Sequence, residues 1–265
     1  MNGAEARRLW SLTWTLALTD WKLRFYGSVL GVLWTLVRPF AFFGVIYVVF
    51  TEFAQLDKEV HHYGVYILFA MVLFNYFGEV TGNAVNCLVT RENLLRKMHF
   101  NPIVIPLSIA VTSLLNLGIT FAAVMIFGFA NGVWPGWTWI ELPLIVVALS
   151  MLAVGIGMLL SVLYVRYRDM APIWEVVLQM LFYGSSVLYV AAPTVPESAR
   201  PWFLMNPISM LFAEMRNSVI DPAGAHGAYF LMGSRIIVPI VLIVVIFVLG
   251  LWFFQRESPR VAENL

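Results

Sequence analysis

Residues 98–140 read MHFNPIVIPLSIAVTSLLNLGITFAAVMIFGFANGVWPGWTWI, 43 residues without a Lys, Arg, Asp or Glu. A helix crosses a hydrocarbon core of about 30 Å with about 20 predominantly apolar residues, each rising about 1.5 Å. The stretch therefore predicts a membrane span, placed at 103–130. Working outward, Phe25 to Thr51 is interrupted only by Arg38, and Val60 to Thr90 only by Glu79. Leu142 to Val165, Val176 to Pro196 and Ile236 to Gln255 are free of charge. The pattern predicts an all-α polytopic membrane protein with six transmembrane helices, at 30–52, 64–87, 103–130, 142–165, 172–192 and 235–255.

Composition agrees. The 265 residues are 61% hydrophobic and 12% charged, whereas soluble domains average about 45–50% apolar and about 25% charged. That excludes a soluble enzyme, a disordered chain and a collagen-like chain. A net charge of +1 gives no bulk field for nucleic acid. The single cysteine, Cys87, cannot form an intramolecular disulfide and reads as a small buried hydrophobe. No low-complexity linker or fixed-period repeat is visible.

Basic residues set the orientation. Six spans put twelve Lys and Arg residues on the side of the termini, among them Arg7, Arg8, Lys22, Arg24, Arg91, Arg96, Lys97, Arg166, Arg168, Arg256 and Arg260. The opposite side holds Lys58, Arg200, Arg216 and Arg235. Both termini are thus expected in the cytoplasm. Residues 5–27 read as an amphipathic interface helix. Trp10, Trp14, Ala17, Leu18, Trp21 and Phe25 form its apolar face, opposite Arg8, Ser11, Thr15, Thr19 and Lys22. Residues 91–99 read as a short cytoplasmic helix. Thr90 is its N-cap, Glu92 and Arg96–Lys97 complement its dipole, and Pro102 stops it. Leu94, Leu95 and Met98 are possible anchors for a soluble partner; a solvated loop helix is the alternative.

At these residues the chain resembles a known family. Asp20 to Trp34 (DWKLRFYGSVLGVLW), followed by Arg38-Pro39, is similar to the N-terminal signature of ABC-2 type permeases. The resemblance is greatest to the polysaccharide and polyol-phosphate exporters, which include O-antigen and teichoic acid permeases. Asn93 to Lys97, Asn101-Pro102 and Pro106-Leu107 resemble their coupling-helix region, and Tyr167-Arg168-Asp169 and Asn206-Pro207 also match. The resemblance implies one transmembrane domain over 1–265 in the cytoplasmic (inner) membrane. It implies a homodimer docked on two copies of a separate P-loop ATPase, and a lipid-linked glycan as cargo. Arg91, Glu92, Asn93, Leu94, Leu95, Arg96 and Lys97 would contact that ATPase. ATP and Mg would bind there, with no cofactor expected in this chain: none of Lys22, Lys58 and Lys97 follows a Gly, so no G-x-x-x-x-G-K-[ST] loop exists.

Two aromatic stripes at helical spacing could line a passage for sugar rings. One is Leu36, Phe40, Phe43, Tyr47 and Phe50; the other is Tyr66, Phe69, Leu73 and Tyr76. Packing or lipid-facing aromatics are the alternative. Arg38 and Glu79 lie inside spans, where a charge normally faces protein or water. Both are path candidates, with an interhelical pair the competing reading for Glu79. Gly78 with Gly82, and Gly128 with Gly132, have the small-x-x-x-small spacing of close helix packing. The segment 193–233 is expected outside. In the family, paired re-entrant helices here form a gate. Asn206-Pro207 would start one through Met210, Phe212 and Met215, with Glu214 and Arg216 at its rim.

No metal or nucleophile motif stands out. His61, His62, His99 and His226 form no H-E-x-x-H pattern, and Glu52, Asp57, Glu59, His61 and His62 read as a solvated loop. The chain is therefore expected not to be an enzyme. A related drug or lipid exporter fits most of the same features. An ion-coupled secondary transporter fits less well, because internal symmetry and intramembrane carboxylate pairs are missing.

Overall fold

The computed structural model describes residues 3–26, 31–53, 62–97, 100–222 and 227–264. All regular structure among them is helical. In chain order the helices are α1 (Gly3–Phe25), α2 (Gly31–Val48), α3 (Tyr63–Val85), α4 (Cys87–Thr90), α5 (Glu92–Lys97) and α6 (Val104–Ala130). There follow α7 (Glu141–Arg166), α8 (Met170–Gly184), α9 (Ala191–Thr194), α10 (Arg200–Phe203), α11 (Pro207–Val219), α12 (Ala228–Met232) and α13 (Ile237–Asn264). A π-helical turn, Val49–Phe53, prolongs α2, and 3-10 turns precede α7 and α13.

Among the described residues, five helical stretches are long and apolar enough to cross a membrane: Leu33–Glu52, Tyr63–Val85, Val104–Ala130, Trp137–Arg166 and Ala228–Ser258. The chain is a polytopic membrane protein. Its centre is α3, buried at every residue from Val65 to Phe74. Helices α6 and α7 flank it, and α13 packs on the far side of α7. Both α2 and α13 keep broad apolar faces outward, among them Val45 and Val48 on α2 and Ile240, Val244 and Val248 on α13. A face apolar and unburied within the protein is what lipid or a second subunit covers.

The stretch expected to span at 172–192 differs. Helix α8 ends at Gly184 after 15 residues; at about 1.5 Å each it is shorter than the hydrocarbon core. Hydropathy registers missing charge, and Gly184-Ser185-Ser186 breaks the helix without adding any. Ser185 is extended (φ −113, ψ 167). The chain from Ser185 to Leu188 is nevertheless buried, so its polar backbone needs partners. Two tyrosines of α3 supply them: Tyr63 Oη donates to the Leu188 carbonyl at 2.7 Å, and Tyr66 Oη to that of Ser186. Asn206 Nδ2 donates to Ser185 Oγ at 2.9 Å.

Close helix packing also falls on other glycines than expected. A Cβ on Gly82 would meet nothing within 4 Å, and one on Gly78 would touch only Leu178 at 4.0 Å. Gly132 lies beyond α6 at φ +83, in a turn where Val133 N donates to the Gly128 carbonyl at 3.0 Å. Helix α7 makes tight crossings on both sides: on α3, where a Cβ on Gly157 would sit 2.7 Å from Ala84 Cβ, and on α13. A Cβ on Gly250 would sit 2.2 Å from the Gly155 carbonyl oxygen, and one on Gly155 2.7 Å from Phe247 Cα.

Candidate functional site

Helix α1 builds the most polar region. Thr112 Oγ1 donates to the Ala17 carbonyl at 3.2 Å, and Trp21 Nε1 donates to Asn116 Oδ1 at 3.1 Å. Four residues separate the partners on both chains, so α1 and α6 run side by side in the same direction here. Thr13 and Ala17 are the buried residues of α1. The face against the protein is therefore Thr13, Ala17, Asp20 and Arg24; of the apolar face expected in lipid, Ala17 is buried and Trp21 reaches α6. Trp10 and Trp14 stack on each other, 61% and 41% exposed.

This packing places two charges of α1 against partners distant in sequence. Arg24 pairs with Glu79 of α3, and Asp20 pairs with Arg91, at the junction of α4 and α5. Asn116 Nδ2 donates to Glu79 Oε1 at 2.7 Å, and Arg91 Nη1 donates to Ser108 Oγ at 3.2 Å. Glu79 is thus held by an ion pair and a hydrogen bond within a spanning helix, where an unpaired carboxylate would be costly.

Between α1, α2, α3 and α6 opens a cleft of about 570 Å³, with Arg24, Trp34, Arg38, Asn75, Glu79 and Asn116 among its walls. A second cleft of about 220 Å³ continues along α3 past Asn83 and Asn86 to Arg91, sharing Arg24 and Ser113 with the first. Arg38 is exposed and makes no ion pair with a described residue.

The structure brings three of the path candidates, Arg38, Tyr76 and Glu79, to this cleft. Phe40 and Tyr47 lie on α2, Tyr47 38% exposed. Phe43, Tyr66 and Phe69 are interior residues: Phe43 meets Phe127 edge-on, and Phe69 meets Phe121 likewise. Tyr76 is buried too, its hydroxyl 2.7 Å from Ser150 Oγ of α7. Within the α3 stripe, Tyr66 and Phe69 serve backbone satisfaction and packing, while Tyr76 borders the cleft. Sequence reasoning passed over Trp34, Asn75, Ser113 and Asn116. The available signal was spacing, since Asn75, Glu79, Asn83 and Asn86 recur every three or four residues along α3.

At α5, Arg91 turns inward to Asp20 and Ser108 and precedes the helix. Glu92 and Arg96 pair at 3.1 Å, Asn93 is exposed and Leu94 is half-buried. The side chains of Leu95 and Lys97, and Met98 and His99 altogether, lie outside the described residues. Gly27 to Leu30 of the N-terminal signature also lie outside them, as do Asp57, Glu59, His61 and His226.

Helix α11 starts as expected from its sequence. Asn206 Oδ1 accepts from Ile208 N at 3.0 Å, with Pro207 in the first turn. Met210 and Phe212 are buried against the core. Arg216 is not at a rim: it is 5% exposed, with Asp221 at 3.6 Å. Its ordinary pKa is lowered, chiefly by burial. Glu214 accepts from Tyr229 N at 3.0 Å; burial raises its carboxyl above the usual range. The far end of α11 is capped by the turn before α7, where Thr138 Oγ1 donates to the Ser218 carbonyl and Trp139 Nε1 to that of Val219, the latter at 3.2 Å.

Among the described residues no group of His, Cys, Asp and Glu side chains is placed to hold a metal. The fold is that of an all-α polytopic membrane protein with a polar cleft flanked by helix-to-helix ion pairs. Residues 11–220 match the ABC-2 type transporter family, and the chain belongs to it. The chain is similar to an O-antigen export system permease protein RfbA of Klebsiella pneumoniae, 24% identical over 258 residues, or 97% of this chain and 96% of that one. A protein of the same description from Myxococcus xanthus is 27% identical over 74% of this chain and 75% of its own length. The polysialic acid transport protein KpsM of Escherichia coli is 20% identical over 77% of this chain and 80% of its own.

Proposed function

We propose that this chain is the permease half of an ATP-driven exporter that moves a lipid-linked polysaccharide, of O-antigen or teichoic acid type, across the cytoplasmic membrane. The observation that carries the reading is the end-to-end similarity to the Klebsiella O-antigen export permease, over 97% of this chain. The permease works as a homodimer with two copies of a separate P-loop ATPase, which holds ATP and Mg; this chain holds no cofactor and does no chemistry. Both termini and α5 face the cytoplasm. Helix α1 lies at the inner interface with Trp10 and Trp14 toward lipid. The segment from α9 to α12 forms the outer gate, with α11 as its re-entrant element. The exposed face of α8 and the outer end of α2, at Val45 and Val48, meet the second subunit and border the path, with Leu33, Trp34 and Val37 toward lipid and Arg38 and Glu79 near the inner end.

Coupling is mechanical. Closure of the ATPase pair moves α5, and Arg91, just before it, passes that movement to α1 through Asp20. Supporting this are the Arg91–Asp20 and Arg24–Glu79 pairs, which tie the α4–α5 junction to α1 and α1 to α3. The test is reconstitution with the partner ATPase. Replacing Leu94, Leu95 and Arg96 together is expected to abolish transport-coupled ATP hydrolysis and leave the bundle folded. Unchanged coupling in an assembled complex would refute it.

A further inference from the structure

The larger cleft holds one cation more than its walls neutralise. Glu79 is occupied by Arg24 and Asn116. Arg38, which lines the same cleft from α2, has no ion pair with a described residue. It stands seven residues into α2, about 10 Å along the helix axis. A guanidinium inside a span faces water, protein or an anion. Two neutral groups point to an anion. Ser113 lines the cleft at 1% exposure, and its buried hydroxyl has no hydrogen-bond partner among the described residues. Asn75 also lines it, and it is the one exposed residue of α3 between Tyr63 and Thr81. An orphaned buried hydroxyl in a native fold calls for a missing partner, and Arg favours phosphate through paired N–H donors.

We propose that this cleft binds the phosphate head group of a membrane lipid, with Arg38 as its cation and Ser113 and Asn75 as hydrogen-bond donors. The lipid enters from the bilayer along α2, whose flanking Leu33, Trp34 and Val37 are exposed. A phosphate on a polyprenyl chain would make the site an inner docking point for cargo, and only that source rests on the exporter reading. A phosphate on a glycerolipid would make it a lipid site independent of cargo.

The test uses the full chain purified in detergent. Retention of phosphatidylglycerol, polyprenyl phosphate, phosphate-free diacylglycerol and inorganic phosphate is read by native mass spectrometry. At least one lipid phosphate is expected to bind, with diacylglycerol and inorganic phosphate failing. Arg38→Gln should weaken retention about tenfold or more, as expected for loss of hydrogen bonds to a charged group. Arg38→Lys should restore part of it, and Ser113→Ala should cause a smaller loss of about threefold. Melting curves establish that the variants fold. Equal retention by folded Arg38→Gln, no lipid phosphate retained by the wild type, or full displacement by inorganic phosphate at matched concentration would each overturn the proposal. Retention of polyprenyl phosphate in a host whose glycans are unchanged by depletion would leave the site standing and remove the cargo reading.

Discussion

Gly250→Ala perturbs the tightest contact in the bundle. The new methyl would lie 2.2 Å from the Gly155 carbonyl oxygen and 2.8 Å from its carbonyl carbon, both backbone atoms that no rotamer change can clear. Helices α7 and α13 must move apart by about 1.2 Å to restore van der Waals contact. Overpacking of this kind costs about 1–3 kcal/mol, and backbone-to-backbone contact favours the upper end. For a chain of this size about 1 kcal/mol moves the melting temperature by about 2–4 °C, so a fall of about 5–10 °C is expected. The chain carries its own probe: Cys87 is its only cysteine and is buried, so a thiol-reactive dye reports unfolding. Gly118→Ala is the control, since a Cβ there meets nothing within 4 Å; it should melt at or slightly above the wild type. If Gly250→Ala melts within a degree or so of Gly118→Ala, the crossing is not a tight contact and the packing argument fails.

The same assay reads three further variants. Arg24→Gln should destabilise more than Glu79→Gln, because the first leaves a carboxylate in a span with Asn116 alone, worth about 2.5–3.5 kcal/mol at a helix centre, and the second removes the charge; the reverse order would contradict the pairing. Tyr66→Phe removes the donor to the buried Ser186 carbonyl and should cost about 1–3 kcal/mol, whereas a neutral result would mean that water or another donor serves that carbonyl. Glu214 binds its proton more tightly folded than unfolded, so its contribution is greatest at low pH and falls as pH rises above the ordinary carboxyl range. Melting at about pH 5 and about pH 8 should therefore show Glu214→Gln gaining on the wild type at the higher pH, and a variant that loses ground to the wild type there would contradict the sign.

The long charge-free runs made the membrane class and five of the spanning stretches legible, because lipid imposes a length and a polarity that composition records directly. The break in α8 was not legible, since a Gly-Ser-Ser step costs little hydropathy and its compensation comes from Tyr63 and Tyr66, more than a hundred residues away. The same compensation explains why an aromatic stripe on α3 resembled a passage wall. Asn206-Pro207 announced the start of α11, because a cap and an N1 proline are local. The pairs made by Asp20, Arg24, Glu79 and Arg91 depend on how α1 lies on α6, and burial of Arg216 on how α11 lies against α7 and α13. Several faces of α1 carry apolar side chains, so periodicity could not choose between them. Gly155 and Gly250 have no shared motif in the sequence; only their meeting across α7 and α13 marks them.

Export of a lipid-linked polysaccharide is tested most directly by depleting this protein in its own host and analysing lipid-linked glycans inside the cell and polymer at its surface. A finished polymer accumulating on its lipid carrier inside, while the same polymer disappears from the surface, is the predicted result. Unchanged glycans in both places, with depletion verified and no second exporter present, would contradict the account and leave a drug or lipid exporter of the same family in its place.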